Sequence, residues 1–160
     1  MRIALVDPPD PGLARALATA GHDPAVLAPG RVGALLEAAL RPRKLGEGLG
    51  HMPTAALAVR RGRFDVAHAF SPAAALAARA ARVAVLTFPA PVQRERLADR
   101  RLRVATLQRA LAGSAAVVAP DLEVQASLRR WLGVEARVLA PADGAGHAAL
   151  YAELLECRPA

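Results

Sequence analysis

Short apolar runs and longer helical patterns alternate along this 160-residue chain, and that alternation constrains its fold more than any other feature. The first run, Ile3–Val6, contains no polar residue, as expected of a strand that is buried on both faces. A helix follows and ends at Gly21, with Asp10 as its cap, Pro11 at its first position and apolar residues at helical spacing: Leu13, Ala14, Leu17 and Ala18. The pattern therefore predicts one strand followed by one helix.

The same unit recurs to the end of the chain. Further strands are predicted over Ala25–Leu27, Phe64–Ala69, Val83–Thr87, Ala115–Val118 and Ala136–Leu139. Helices are predicted over Val32–Leu40, Thr54–Arg60, from Ser71 and Pro72 onward, Gln93–Leu111, Asp121–Leu132 and His147–Glu156, and the polar stretch from Arg41 to His51 is predicted to be a mobile loop. About six strands separated by helices indicate an α/β protein: a single Rossmann-like, doubly wound, mainly parallel sheet with helices on both faces.

Length and composition place the chain in one domain. A domain of 160 residues with 54% hydrophobic residues can bury a core without disulfides or a metal. The lone cysteine, Cys157, fits a reducing compartment and is interpreted as incidental rather than nucleophilic. Because Ile3–Val6 is too short for a signal core, we expect no secretory or membrane segment and a cytoplasmic location.

The charge is strongly basic, with a formal net charge of +7. Nearly all the basic residues are arginine, Lys44 being the only lysine, and alanine makes up about a quarter of the chain. This combination indicates a coding bias toward alanine and arginine rather than a polyanionic partner. Aromatic residues make up only 3% of the chain, too few to form a stacking platform for single-stranded nucleic acid. No nucleic-acid partner is therefore predicted.

Motifs for cofactors, metals and common nucleophiles do not occur in a suitable context. The glycine run at residues 46–50 lies between two predicted helices, so it is not a dinucleotide fingerprint, and no Walker-type lysine loop is present. The four histidines, at positions 22, 51, 68 and 147, lack paired ligand spacing, and no serine lies in a Gly-x-Ser-x-Gly motif. A phospho-acceptor receiver domain would need an aspartate at the end of the third strand and a lysine after a later strand. Asp65 instead begins its strand, and Lys44 does not follow a later strand, so this class of protein is disfavoured. No catalytic residue, metal ligand or cofactor is therefore predicted.

Three segments in order resemble family 4 glycosyltransferases: residues 13–23 after the opening strand, residues 64–68, and residues 117–120 followed by 128–134. The resemblance covers most of residues 1–140 and implies the acceptor-side domain of the two-domain GT-B architecture. Residues 141–160 then form a linker and a helix, and His147–Leu155 is similar to the terminal helix that packs back on the first domain in full-length relatives.

The resemblance also implies a division of labour. In the family, a carboxyl-terminal domain holds the nucleotide-sugar through paired glutamates, and 160 residues leave no room for it. We therefore expect the acceptor-binding half of a sugar transfer to a hydroxyl acceptor, inactive alone, with a separate protein supplying the donor domain. The acceptor cleft would be lined by Gly12, His68, Ser71, Thr87 and Arg94.

The chain departs from the family pattern at three places. The loop after the first strand keeps one glycine, Gly12, and its three prolines remove backbone donors, which makes a rigid turn the better interpretation. Phe70 and Pro89 stand where relatives often carry histidine. Proline cannot take the part of an imidazole in acid–base chemistry, so these changes argue against independent sugar transfer.

Two alternatives stay open at this point. The chain could be a non-catalytic binding or scaffolding protein whose exposed cleft recognises a partner subunit or a second copy of itself. The helix predicted over Gln93–Leu111 carries an apolar stripe and basic residues, so it could touch an anionic membrane, although Glu95 and Asp99 favour a solvated face. Arg94 and Arg96 could instead bind an acceptor carboxylate or phosphate.

Overall fold

The computed structural model describes residues 1–28, 31–40, 50–93 and 101–157. Its six strands are β1 (Arg2–Val6), β2 (Asp23–Leu27), β3 (Val66–Ala69), β4 (Val83–Thr87), β5 (Ala116–Ala119) and β6 (Arg137–Val138). Helices in these ranges are α1 (Gly12–Thr19), α2 (Arg31–Leu40), α3 (Met52–Gly62), α4 (Pro72–Ala78), α5 (Arg101–Gly113), α6 (Leu122–Leu132) and α7 (Gly144–Glu156).

The strands form one sheet in the order β2-β1-β3-β4-β5-β6, and every neighbouring pair is parallel. The predicted α/β Rossmann-like sheet is thereby confirmed. From β1 the chain continues to the edge strand β2 and then crosses back to β3, which pairs with the other side of β1. The strand order reverses between β1 and β3, and in open α/β sheets ligands bind beyond the carboxyl ends of the strands at such a point.

The two faces of the sheet carry different cores. On one face, small side chains such as Ala67, Ala69 and Ala84 leave room for α4, and five of the seven residues of α4 are buried alanines: Ala73, Ala74, Ala75, Ala77 and Ala78. On the other face, larger aliphatic side chains meet α1 and α7: Ile3, Leu5, Val66, Val83, Val85 and Val118. The abundance of alanine in the sequence therefore has a packing use, because an alanine-rich helix can lie close to the sheet.

Helix α7 closes the second face by packing on α1 and β4. Asp143 begins the helix, its Oδ1 accepting the backbone N–H of Gly146 at 2.8 Å. Gly144 permits a close approach to α1, because a Cβ there would lie 2.7 Å from Ala16 Cβ and 2.8 Å from the Ala16 carbonyl carbon. On the solvent side, Arg137 of β6 and Glu153 form a bidentate ion pair.

Several element boundaries differ from prediction for local reasons. Strand β3 begins at Val66 instead of Phe64, because Arg63 ends α3 in the left-handed region with φ 49°. Helix α7 begins three residues earlier than predicted, because Asp143 rather than a residue nearer His147 provides the cap. Residues 94–100 of the helix predicted from Gln93 and residues 41–49 of the predicted mobile loop lie outside the described residues. Gln93 itself is not helical, and His51, the last residue of the predicted loop, is the N-cap residue of α3.

Across the four described ranges, no helix combines the length and the apolar character needed to cross a membrane.

Candidate functional site

A cleft opens at the carboxyl edge of the sheet, where β1, β2 and β3 end. The cleft is shallow and partly open to solvent. Apolar groups from β1, β2, α3 and α4 form its floor, and its polar lining comes from Asp7, His51, Thr54 and Ser71. The cleft therefore lies at the reversal point of the strand order, where α/β sheets of this kind bind ligands.

Asp7 follows β1 directly and holds an unusual backbone conformation. Its φ of 58° lies in the left-handed region, which aspartate and asparagine tolerate better than most side chains do. Its backbone N–H donates to the Leu27 carbonyl at 3.1 Å, so the turn is fixed to the end of β2. The exposed Asp7 carboxylate is thereby placed at the cleft and can accept hydrogen bonds from a ligand.

Two hydroxyl groups complete the polar lining. Ser71 caps α4, and its Oγ accepts the Ala74 N–H at 3.1 Å, which leaves the hydroxyl proton for a second bond. Thr54 Oγ1 donates to the His51 carbonyl at 2.9 Å, which leaves its oxygen able to accept. A carboxylate and two hydroxyls suit a ligand rich in hydroxyl groups, because such a ligand donates and accepts hydrogen bonds equally well.

A second polar group of residues is buried on the opposite face of the sheet, beneath α7. His68 of β3 has no exposed surface, and its ring lies between Leu5 and Val85 of the neighbouring strands. Its Nε2 is 2.6 Å from Thr87 Oγ1 at the end of β4, and its Nδ1 is 2.5 Å from Tyr151 Oη of α7. A neutral imidazole carries one N–H donor and one acceptor nitrogen, so His68 donates one of these bonds and accepts the other.

Burial determines the protonation of this network. Burial first, and the neighbouring His147 second, hold the pKa of His68 well below the ordinary histidine value. Burial likewise raises the pKa of the Tyr151 phenol. His68 is therefore neutral and Tyr151 protonated near pH 7, and the chain Thr87–His68–Tyr151 joins β4, β3 and α7 through uncharged hydrogen bonds.

His147 of α7 is the third aromatic polar group in this region. Its ring centroid lies 5.3 Å from that of His68, and the side chain is 1% exposed. Neither ring nitrogen has a hydrogen-bond partner of acceptable geometry among the described residues. Burial lowers the pKa of His147, and the nearby Ala140 carbonyl and Asp143 carboxylate oppose that effect without reversing it. Two neutral imidazoles therefore face each other in the core.

The structure separates the residues that the sequence grouped. Ser71 lines the cleft, whereas His68 and Thr87 bond to each other on the far side of the sheet. Gly12 begins α1, and its N–H donates to Asp10 Oδ1, so it serves the turn after β1. Arg94 lies outside the described residues. Pro89, exposed just beyond β4, presents no titratable group at the carboxyl edge.

A family comparison bears directly on this fold. The sequence model described as Glycosyltransferase Family 4 matches residues 12–141, which extend from α1 to the residues just before α7. The chain belongs to glycosyltransferase family 4. The match to this family confirms the resemblance and supports a glycosyltransferase-like function. A comparison with curated proteins found no match.

The family 4 match leaves out part of the buried network. His147 and Tyr151 follow its last residue, 141, whereas His68 and Thr87 lie within it. Sequence reasoning gave Tyr151 no role in a site and concluded only that the histidines lack the paired spacing of metal ligands. The available signal was the spacing of His147 and Tyr151, four residues apart on one helix face, which turns two polar rings toward the sheet.

Among the side chains that the structure describes, no three histidine, cysteine, aspartate or glutamate residues are grouped closely enough to hold an ion. Both nitrogens of His68 are already engaged by Tyr151 and Thr87, so they are not available as ligands without breaking the network.

Proposed function

We propose that this chain is the acceptor-binding half of a sugar transfer from a nucleotide-sugar to a hydroxyl acceptor, and that it does not carry out the transfer alone. The observation that carries the proposal is the cleft of Asp7, Thr54 and Ser71 at the reversal point of a family 4 sheet. A sugar or polyol hydroxyl fits this lining because it can donate to Asp7 and accept from Ser71.

The proposal places donor binding on a separate domain, outside the described residues. In the two-domain architecture that the chain resembles, the nucleotide-sugar belongs to the second domain, whereas the described residues of this chain form one sheet. Pro89 occupies the place where relatives often carry an imidazole near the transferring sugar, and it cannot hold or move a proton. A protein that supplies a donor domain, docked over the carboxyl edge, would complete the reaction.

The acceptor site is tested by an NMR titration of the ¹⁵N-labelled chain with a panel of methyl hexosides. We expect saturable shifts centred on the backbone amides of Asp7 and Ser71. Asp7→Asn keeps the size and the tolerance of a left-handed φ but removes the charge, so it should weaken binding at least tenfold, as expected when a charge-assisted hydrogen bond of about 1.5 kcal/mol or more is lost.

The matched control is Asp23→Asn, at the opposite edge of the sheet, where the carboxylate pairs with Arg2. This variant should bind the hexosides like the unmodified chain. Shifts that centre on residues away from the cleft, or equal weakening by both substitutions, would contradict acceptor binding at Asp7.

A non-catalytic binding protein is the second candidate function, and Pro89 together with the burial of His68 favours it. Such a protein would keep the fold and the cleft edge as a partner surface without binding a sugar acceptor. The same titration separates the two functions, because a binding protein predicts no saturable hexoside shifts at Asp7 or Ser71.

A further inference from the structure

We infer that α7 is a detachable strap over His68 and Thr87, released when the buried imidazoles of His68 and His147 take up protons in mildly acidic solution. This inference concerns the face of the sheet opposite the acceptor cleft and does not rest on the proposed function. It starts from the placement of two almost completely buried imidazoles under one helix.

When α7 is packed on the sheet, which we call the docked state, a positive charge on His68 or His147 is unfavourable. His68 and His147 are 0% and 1% exposed, and their ring centroids are 5.3 Å apart. Protonating either ring would bury a cation, and protonating both would place two like charges in contact. Proton uptake by His68 would also leave both its nitrogens as donors, so it could no longer accept a hydrogen bond from Tyr151 or Thr87.

The groups around His147 do not offset that cost. On the sheet side, the His147 ring lies next to His68, which is bonded in turn to the neutral hydroxyl of Thr87. Helix α1 contributes only the apolar side chains of Leu13 and Leu17 to this core. Tyr151, on α7 itself, stays protonated. Asp143 is the carboxylate that favours a charged His147, but its Oδ1 already caps α7, and burial outweighs its effect on the pKa of His147.

The remaining charged pair on α7 stays intact across the relevant range. Glu153 faces Arg137 on the solvent side of the helix, and its hydrogen bond to that guanidinium lowers the pKa of the Glu153 carboxyl below its ordinary value. The carboxylate therefore stays ionised well below neutral pH. Loss of this ion pair cannot account for a change in α7 between neutral and mildly acidic solution.

The direction of the pH effect follows from proton linkage. In the docked state both pKa values are lowered, so both rings are neutral, whereas in the released state they titrate near the exposed-histidine value of about 6.5. The released state therefore binds more protons as the pH falls. Between about pH 7.5 and pH 5.5 the imidazole of His68 should raise the opening constant about tenfold, and that of His147 should multiply it by a further factor of at most about ten.

Hydrogen exchange of the full chain, read by mass spectrometry at pH 7.5 and pH 5.5 and corrected for intrinsic rates, tests the strap. Amide protection in α7 should fall more than tenfold and at most about a hundredfold, as the linkage requires. Helix α6, which ends in a left-handed cap at Gly133 and carries no histidine, serves as the internal reference and should keep its protection. Equal loss in α6 and α7 would mean global unfolding and would overturn the inference.

Variants assign the effect to the imidazole pair. His147→Phe keeps an aromatic ring under α7 but removes one titrating group, so the pH effect on α7 should shrink to about tenfold. His147→Leu carries the same expectation if the larger ring disturbs folding. His22→Gln, in the turn before β2, is the control and should keep the full pH effect of the unmodified chain. A pH effect in both His147 variants as large as that of the unmodified chain would contradict the role of the pair.

Discussion

His68 illustrates how a side chain's surroundings, rather than its type, decide what it can do. The sequence places a histidine near the carboxyl end of a strand, a position from which it could reach a ligand. The fold instead turns it onto the face covered by α7, where Tyr151 and Thr87 occupy both ring nitrogens. In this docked arrangement His68 connects three elements and has no surface for substrate.

A substitution at Thr87 tests that connection. Thr87→Val removes one hydroxyl at nearly constant volume and leaves a buried His68 nitrogen without its partner. We expect a loss of about 1–3 kcal/mol in the free energy of unfolding. Urea denaturation monitored by circular dichroism measures this loss. The slope of the free energy of unfolding against urea concentration should not change.

Thr19→Val provides the matched comparison. Thr19 Oγ1 also donates a hydrogen bond, to the Arg15 carbonyl, but the residue is exposed at the end of α1. Water can replace that partner, so this variant should change the free energy of unfolding by no more than about 0.5 kcal/mol. Similar losses in the two variants would mean that the buried network does not stabilise the fold.

At the scale of elements, α7 holds the second core together through one tight contact and two polar rings. Its first residue, Gly144, lies against Ala16 of α1 without room for a side chain. Leu150 and Tyr151 are buried one to two turns further along, where the helix covers β1, β3 and β4. The approach of α7 to α1 therefore depends on glycine at its start.

Gly144→Ala tests this approach. In an unconstrained helix the change would stabilise by up to about 1 kcal/mol. Here the added Cβ meets the Ala16 backbone, which cannot move away as a flexible side chain could, so we expect a net loss of about 1–3 kcal/mol in the free energy of unfolding. Chemical denaturation measures it. Combining the change with Ala16→Gly should recover part of the loss, and a variant more stable than the original would refute the contact.

The elements were largely predictable from sequence, because apolar runs and caps are local signals. Val83–Thr87 was predicted residue for residue, and Ser71 and Asp121 cap α4 and α6 as expected. The site was less predictable. The contact of His68 with Tyr151 joins residues 83 positions apart, and the left-handed turn at Asp7 follows from the pairing of β1 with β2. Such features arise only when distant segments meet.

The whole molecule uses the two faces of one sheet differently. The alanine-rich face carries the open cleft at the reversal point of the strand order, while the aliphatic face carries a closed helix over a titratable pair. Because the cleft and the buried network have no lining residue in common, acceptor binding and the release of α7 can be studied separately in the same chain. Membership in glycosyltransferase family 4 supports a glycosyltransferase-like function, and the proposed acceptor site uses the cleft face.

Titration calorimetry of the chain with uridine, guanosine and adenosine diphosphate sugars tests the central claim most directly. An acceptor-side domain that relies on another polypeptide for the donor should give no saturable heat with any of them, while unfolding cooperatively as a folded domain does. Specific, saturable binding of one nucleotide-sugar would mean that this single sheet has its own donor site, and it would contradict the division of the reaction between two proteins.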